Sequence, residues 1–185
     1  MAAGSSMRHD GAVAPRQPPA PMTSPLFAFE ITLQSQPAEA TAGPPLADAW
    51  GTWPTLDVPN KELLASPMAI GFDAAFERLA AIERLYAEPD GSFVWTCSRT
   101  GDGAAPTWWQ VDGNAYERGG RVLLVDLKGS CPPADFDRLL GAFGWPGQPL
   151  MMQLVRSATF LDEATFRLHA AARGLVGDGK TLRPS

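Results

Sequence analysis

Two strand-like runs joined by a pair of glycines constrain the fold of this chain more than any other feature. Residues 121–128 alternate, with Leu123, Val125 and Leu127 on one side and the intervening residues on the other. Residues 107–117 are also extended in character, and Gly119-Gly120 between the two runs is typical of a tight turn. The pattern predicts an antiparallel β-hairpin over residues 107–128.

The remaining elements follow from apolar periodicity and from turn residues. We predict a strand at 26–34, an irregular Pro-rich stretch at 35–60 anchored by Trp50 and Trp53, and a helix at 73–88 capped by Asp73. A strand at 92–98, a loop at 101–106, a helix from about 132 to 144, a strand at 149–156 and a helix at 162–173 complete the order.

This order predicts an α/β (mixed α+β) fold in which helices flank a central mixed sheet. The sequence of elements is strand, helix, three strands, helix, strand, helix. The helix within 121–156 has the right length for a crossover between parallel strands, whereas the 107–128 hairpin is antiparallel. The sheet is therefore expected to contain both kinds of pairing.

We predict one folded unit with tails. Residues 1–24 are rich in Ala, Gly, Ser and Pro and are expected to be disordered. Residues 25–60 would supply an N-terminal strand and a Pro-rich linker, residues 61–175 a single core, and residues 176–185 a polar tail.

Charge and composition exclude several classes of protein. The net charge of −5 and the pI of about 5.0 argue against a broad basic surface of the kind that binds nucleic acid by counterion release. Only two cysteines are present, and no apolar run is long enough for a membrane helix. Prolines interrupt the region where a secretory signal would have its apolar core, so we expect a cytoplasmic protein without membrane contact.

The predicted hairpin carries the most informative polar residues. Asp126 and Lys128 point to the same face of their strand. A three-residue loop, Arg118 to Gly120, would place Asp112 opposite Asp126. A loop of two glycines would place Gly113 opposite Asp126 and send the two acids to opposite faces, unless a bulge at Asp112-Gly113 restores them.

Two carboxylates and a lysine on one face are suited to metal-dependent hydrolysis. Carboxylates at close range repel each other, and a divalent cation relieves that repulsion. Mg²⁺ binds through one or two carboxylates together with substrate phosphate oxygens. Lys128 could then hold the attacking water and stabilise the charge that develops on phosphorus.

The stretch from Gln110 to Gly113, followed by the Asp126-x-Lys128 strand, resembles the central hairpin of the PD-(D/E)XK nuclease superfamily, which has the restriction-endonuclease-like fold. The resemblance covers about residues 73–156 and implies metal-dependent cleavage of phosphodiesters in nucleic acid. It implies Asp112 and Asp126 as ligands of Mg²⁺ or Mn²⁺ and Lys128 as the catalytic lysine. Glu117 is a rival for the second-strand acid, and a helix glutamate such as Glu77 or Glu83 could add a ligand.

A non-catalytic interpretation stands beside the nuclease. The acidic charge favours a protein-interaction module, antitoxin-like or a scaffold, that uses a Trp-rich sheet face. Trp95, Trp108 and Trp109 lie on adjacent strands, with Trp108 and Trp109 on opposite faces. A Cys131–His169 nucleophile pair is a further, weaker hypothesis, and His169 alone is interpreted as a packing or surface residue. The sequence leaves the protein partner and the oligomeric state open. The geometry of the acids discriminates between the nuclease and the interaction module. Carboxylates that converge in a cleft favour the nuclease, and carboxylates on a flat exposed sheet favour the module.

Overall fold

A nine-stranded antiparallel sheet and three α-helices make up the part of the chain that the computed structural model describes, residues 26–99 and 107–176. The strands are β1 (Phe27–Ser35), β2 (Thr41–Asp48), β3 (Gly51–Asp57), β4 (Leu85–Ala87), β5 (Ser92–Arg99), β6 (Thr107–Arg118), β7 (Arg121–Cys131), β8 (Leu150–Leu154) and β9 (Thr159–Asp162). The helices are α1 (Phe72–Ala80), α2 (Pro133–Ala142) and α3 (Glu163–Val176), and a short 3-10 helix spans Lys61–Ala65. The strand order is β2-β3-β9-β8-β1-β7-β6-β5-β4.

The predicted mixed sheet is wrong, because every neighbouring pair of described strands is antiparallel. The crossover through α2 does bring β8 back parallel to β7. However, β1 lies between these two strands and pairs antiparallel with both. The N-terminal strand thus occupies the middle of the sheet and belongs to the same folded unit as residues 61–176.

The Pro-rich stretch was expected to be irregular, and this expectation is wrong. Residues 41–57 form the β2–β3 hairpin, whose register shifts between Gly43 and Leu46, where Pro44 and Pro45 lie. β2 is the edge strand of the sheet. Prolines are tolerated on an edge strand or at a bulge because no neighbouring strand needs their missing N–H. The short strand β9 was also not predicted.

The first helix is shorter than its apolar spacing predicts. α1 begins after an N-cap at Gly71, which makes no side-chain capping bond, and Asp73 lies in the first turn instead. The helix ends at Ala80, and Arg84 adopts a positive φ of 63°. Leu85 then pairs with Trp95 in the β4–β5 ladder. The spacing of buried Ile82 and Leu85 fits a longer helix, and it fits a turn followed by a strand equally well. The pairing of β4 with β5 decides which of the two structures forms.

The other predicted elements are confirmed, with boundaries that move by a few residues. β1, β5, β6, β7 and β8 match the predicted strands, and α2 and α3 match the predicted helices. The predicted loop at 101–106 and the predicted N-terminal tail lie outside the described residues. So does the C-terminal tail, except for residue 176, which ends α3.

The core lies between one face of the sheet and the three helices. On β1, Phe27, Phe29, Ile31 and Leu33 are buried, and they join the buried residues of α1, α2 and α3 in one apolar cluster. The ring centroid of Phe136 on α2 lies 5.2 Å from that of Phe29. Since side chains alternate along a strand, Glu30 and Thr32 project to the opposite side, which we call the open face. Among the described residues, no helix is long and apolar enough to cross a membrane.

Candidate functional site

The turn between β6 and β7 sets the pairing of the predicted site residues. Arg118 pairs with Arg121 across a two-residue loop, and Gly119 and Gly120 take the positive φ values of 62° and 76° that such a turn requires. A bulge follows at once, because Glu117 pairs with Val122 whereas Tyr116 pairs with Leu124. Leu123 is the extra residue on β7.

The loop of two glycines is therefore confirmed, but neither predicted partner of Asp126 is observed. Asp126 lies opposite Asn114, and Asp112 lies opposite Lys128. With the two-glycine loop alone, the two acids would point to opposite faces of the sheet. The bulge adds one residue to β7, so beyond it each β7 residue pairs with the next residue of β6 and the two acids point to the same face. The bulge lies next to the turn and not at the predicted position, Asp112-Gly113. Asp112, Asp126 and Lys128 consequently share the open face, with the two acids as diagonal neighbours.

Each charged group in this region has a partner from a neighbouring strand or residue. Lys128 lies between Asp112 on β6 and Glu30 on β1, and its Nζ is 3.4 Å from Oε1 of Glu30. Oδ1 of Asp126 accepts a hydrogen bond of 2.6 Å from Oγ1 of Thr32. Oδ1 of Asp112 accepts one of 2.7 Å from Nε2 of Gln110. Two of these contacts join β1 to β7, and the third lies within β6.

We call the six residues that line the open face here the polar patch. Its members are Glu30, Thr32, Asp112, Asn114, Asp126 and Lys128. They border a shallow depression of about 510 Å³. Lys128 is well exposed, with 71% of its side chain accessible to solvent. The depression is open to solvent.

Two of the predicted metal ligands, Asp112 and Asp126, lie on the open face. Mg²⁺ demands near-octahedral oxygen ligands at short range, and the described residues contain no group of three or more His, Cys, Asp or Glu that could hold a metal. Lys128 pairs with Glu30 on one side and with Asp112 on the other, and its positive charge opposes a cation beside it. The Mg²⁺ or Mn²⁺ site of the sequence analysis stays a prediction.

The rival acids lie away from the polar patch. The carboxylate of Glu117 accepts a 2.7 Å hydrogen bond from the N–H of Gly120, so it stabilises the hairpin turn. Glu77 belongs to α1, which packs on the inner face through Ala75 and Leu79, and Glu83 follows that helix. The sheet therefore separates Glu77 from the other proposed ligands.

Three exposed aromatic side chains share the open face with the polar patch. Tyr86 on β4 pairs with Val94 on β5, which pairs with Asp112 on β6, so the side chains of these three residues point to the same face. Trp108 and Tyr116 lie four residues before and after Asp112 on β6, so they point to that face as well. Their exposed fractions are 68%, 56% and 44%. The predicted placement of Trp108 and Trp109 on opposite faces is confirmed, and Trp95 is buried with Trp109 on the inner side.

A second polar cluster joins the β2–β3 turn to α3, and sequence reasoning missed it. Nε2 of His169 lies 3.0 Å from Oδ2 of Asp48. Oδ1 of Asp48 accepts from the N–H groups of Trp50 and Gly51 and from Nε1 of Trp53. The rings of Trp50 and Trp53 contact His169 edge-on, with centroids 5.4 and 5.3 Å away. Asp48 and His169 are 121 residues apart, so no local motif signals the pair.

Burial and hydrogen bonding shift the pKa values of this pair downwards. Burial lowers the pKa of His169, and the hydrogen bond and charge of Asp48 only partly oppose this effect. For Asp48, burial alone would raise the pKa, but the hydrogen bonds from Trp53, Trp50 and His169 outweigh it and hold the pKa below its usual value. At neutral pH the pair therefore consists of a carboxylate and a neutral imidazole that donates from Nε2.

Cys131 is not a reactive thiol. It is fully buried at the end of β7, and burial raises its pKa well above the usual value. A protonated, inaccessible thiol is a poor nucleophile. His169 is engaged with Asp48, so the hypothesis of a Cys131–His169 nucleophile pair is wrong.

No protein-family model matches the chain, and neither a curated protein nor a solved structure shows significant similarity to it. The function must therefore be argued from the geometry of the polar patch, the exposed aromatic residues and the cluster around Asp48 and His169.

Proposed function

We propose that this chain is a non-catalytic binding protein whose open face contacts a protein partner. The observation that carries the proposal is the combination, on a sheet face that no described helix covers, of three exposed aromatic side chains with a cluster of mostly acidic groups. Aromatic residues are enriched at the centres of protein interfaces, where they supply apolar area and a polar tip. The three described α-helices all pack on the opposite side.

The charge of the polar patch favours a basic partner surface. Within the patch, Glu30, Asp112 and Asp126 carry three negative charges against the positive charge of Lys128, and Arg156 beside the patch also contacts Glu30. The net charge of these five groups is therefore negative. Exposed ion pairs of this kind are weak, at about 0–1 kcal/mol each, so Lys or Arg side chains of a partner can replace them at little cost. Opposite charge also accelerates the encounter of the two proteins.

The test uses the wild-type protein and single variants as baits. Trp108→Ala removes exposed apolar area, and Asp112→Lys reverses charge in the patch. Matched controls are Leu168→Ala, an exposed leucine on α3, and Glu77→Lys on α1. A true partner is captured by wild type and by both controls, and it is lost with both open-face variants.

The captured protein is then purified and titrated calorimetrically against each variant. We expect each open-face substitution to weaken binding by about tenfold or more, equivalent to about 1.4 kcal/mol or more. Equal affinities for the open-face and control variants would remove the open face as the binding surface.

A metal-dependent nuclease related to the PD-(D/E)XK superfamily is the second candidate. The observation in its favour is that Asp112, Asp126 and Lys128 share one face, since the β6–β7 bulge aligns them. Its test is cleavage of DNA and RNA with Mg²⁺ and with Mn²⁺. Cleavage by wild type that is abolished in both Asp126→Ala and Lys128→Ala would establish the enzyme, and unchanged or absent cleavage in all three would exclude this site.

A further inference from the structure

The chain enters the sheet beside one end of the open face. β1 and β6 both pair antiparallel with β7, so they run in the same direction on either side of it, and Glu30 and Asp112 both pair with Lys128. Leu26, the first described residue, comes four residues before Glu30 along the chain. Trp108 comes four residues before Asp112 on β6. Leu26 and Trp108 therefore lie at the same end of the open face, about 10 Å apart by strand spacing.

Trp108 and Asp112 offer two different contacts along one strand. Both side chains are exposed on the open face, about 13 Å apart along β6. An exposed aromatic ring is the kind of surface on which proline-rich segments bind in the polyproline II conformation. The carboxylate of Asp112 belongs to the net acidic polar patch and suits an arginine. A segment that fits both contacts carries prolines and, some residues away, a guanidinium.

The sequence that precedes β1 has this complementary chemistry. Residues 1–25 contain five prolines, and four of these fall within residues 15–21, which we call the proline segment. The charged side chains of residues 1–25 are Arg8, Asp10 and Arg16, so two positive charges stand against one negative charge. Proline-rich sequences favour the polyproline II conformation, which advances about 3.1 Å per residue.

The chain is long enough to bring both groups to their contacts. Pro21 lies five residues before Leu26, and an extended chain covers up to about 17 Å over that length. This reach exceeds the separation of Leu26 and Trp108. Arg16 lies five residues before Pro21, or about 16 Å in polyproline II. Pro21 can therefore lie on the Trp108 ring while the guanidinium of Arg16 reaches the Asp112 carboxylate.

Residues 177–185 match the open face less well. They contain a single proline, Pro184, although Lys180 and Arg183 are basic. They also follow α3, whose buried residues Phe166 and Ala170 pack on the inner face of the sheet. The proline segment is the occupant that both the charge and the position of the chain favour.

We propose that the proline segment binds the open face of its own chain, with its prolines against Trp108 and Arg16 paired with Asp112. Because the segment is tethered beside the site, its effective concentration is of the order of millimolar, so contacts that are weak individually suffice. The segment covers two residues of the proposed protein-binding surface, and a partner must displace it. This competition rests on the proposed function, whereas the contact itself does not.

NMR of the full chain tests the contact without any partner. We expect nuclear Overhauser effects between the ring protons of Trp108 and the δ protons of Pro18, Pro19 or Pro21. Isotope-filtered spectra of an equal mixture of labelled and unlabelled protein should show no such effects between different molecules. Absence of these effects in the wild type, or effects between molecules alone, would overturn the proposal.

Charge reversal at Arg16 has a matched control at the other end of the chain. Arg16→Glu changes no contact that the structure describes, and it should shift the indole N–H signal of Trp108 and the amide signal of Asp112. Arg183→Glu makes the same change of charge and should leave both signals in place. The indole N–H of Trp109, buried on the inner face, serves as the internal reference. Unchanged signals in Arg16→Glu, or equal shifts in the two variants, would contradict the assigned pairing.

The calorimetric titration of the captured protein tests the competition. Arg16→Glu should bind it about three- to tenfold more tightly than Arg183→Glu, because the apparent affinity rises with the fraction of chains whose open face is free. Equal affinities of these two variants would exclude the competition. The two proposals fail separately: loss of capture with Trp108→Ala and Asp112→Lys but no effects between Trp108 and the prolines would reject the segment alone. Those effects together with capture that ignores the open-face variants would reject the partner alone.

Discussion

Replacement of Asp48 by alanine should destabilise the protein strongly, because one carboxylate connects the β2–β3 turn to α3. Asp48→Ala removes the acceptor of four donors: the N–H groups of Trp50 and Gly51, Nε1 of Trp53 and Nε2 of His169. The two backbone groups lie at a turn where water can replace the carboxylate. The His169 ring is almost fully buried, so its Nε2 would be left without a partner.

The magnitude follows from the burial of these donors. Each hydrogen bond contributes about 0.5–1.5 kcal/mol, and a buried donor left unpaired costs about 1–3 kcal/mol. The sum is about 3 kcal/mol, which is a large fraction of a typical unfolding free energy of about 5–15 kcal/mol. Asp48→Asn keeps an oxygen for Trp50, Gly51 and Trp53 and should cost about 1 kcal/mol.

Urea unfolding followed by tryptophan fluorescence measures both variants under the same conditions. We expect a lower midpoint with an unchanged slope, since a lost contact changes stability without changing the surface exposed on unfolding. A loss below about 1 kcal/mol for Asp48→Ala, or equal losses for the alanine and asparagine variants, would refute the assigned role of the carboxylate.

Three further predictions test other parts of the structure. The stability of the wild type should fall as the pH drops below about 6.5, because the unfolded chain binds a proton that buried His169 resists. In urea unfolding, His169→Gln should reduce the dependence of stability on pH. Trp109→Ala should cost about 3–5 kcal/mol because that ring is buried against a second tryptophan, whereas exposed Trp108→Ala should cost less than about 0.5 kcal/mol. Gly113→Ala should cost about 1–3 kcal/mol, measured by thermal unfolding, because the added methyl would overlap a buried phenylalanine ring.

Each of these predictions has an outcome that contradicts it. An unchanged pH slope in His169→Gln would show that the histidine does not titrate differently in the folded state. Similar stability of the two tryptophan variants would contradict the assignment of the inner and open faces. A fully stable Gly113→Ala protein would mean that the backbone of β6 at Gly113 does not lie against the Phe93 ring.

Alternation along the strands made the central hairpin predictable, but not its register. Leu123, Val125 and Leu127 indicated a strand, and Gly119-Gly120 indicated its turn. The bulge at Tyr116 and Glu117 left no mark in the sequence, because either register buries apolar residues near the turn. Pairing with β1 fixes the face of Asp126, which lies opposite Thr32.

Long-range pairing explains the other differences. The position of β1 between β7 and β8 depends on contacts across more than ninety residues of chain, as in the bond between Thr32 and Asp126 with a separation of 94. The cluster of Asp48 and His169 likewise assembles only after the β2–β3 hairpin folds against α3. A lone histidine on an amphipathic helix gives no indication of such a partner, so the sequence indicated a packing or surface role alone.

Titration with Mn²⁺, followed by paramagnetic broadening of backbone amide signals, tests most directly whether the open face is a binding surface for protein or a metal centre. Because Lys128 lies between Asp112 and Glu30, we expect no saturable broadening at the amides of Asp112, Gly113 or Leu127, and none that Asp126→Ala removes. Saturable broadening centred on these residues, abolished by Asp126→Ala, would contradict the proposed function and favour the nuclease.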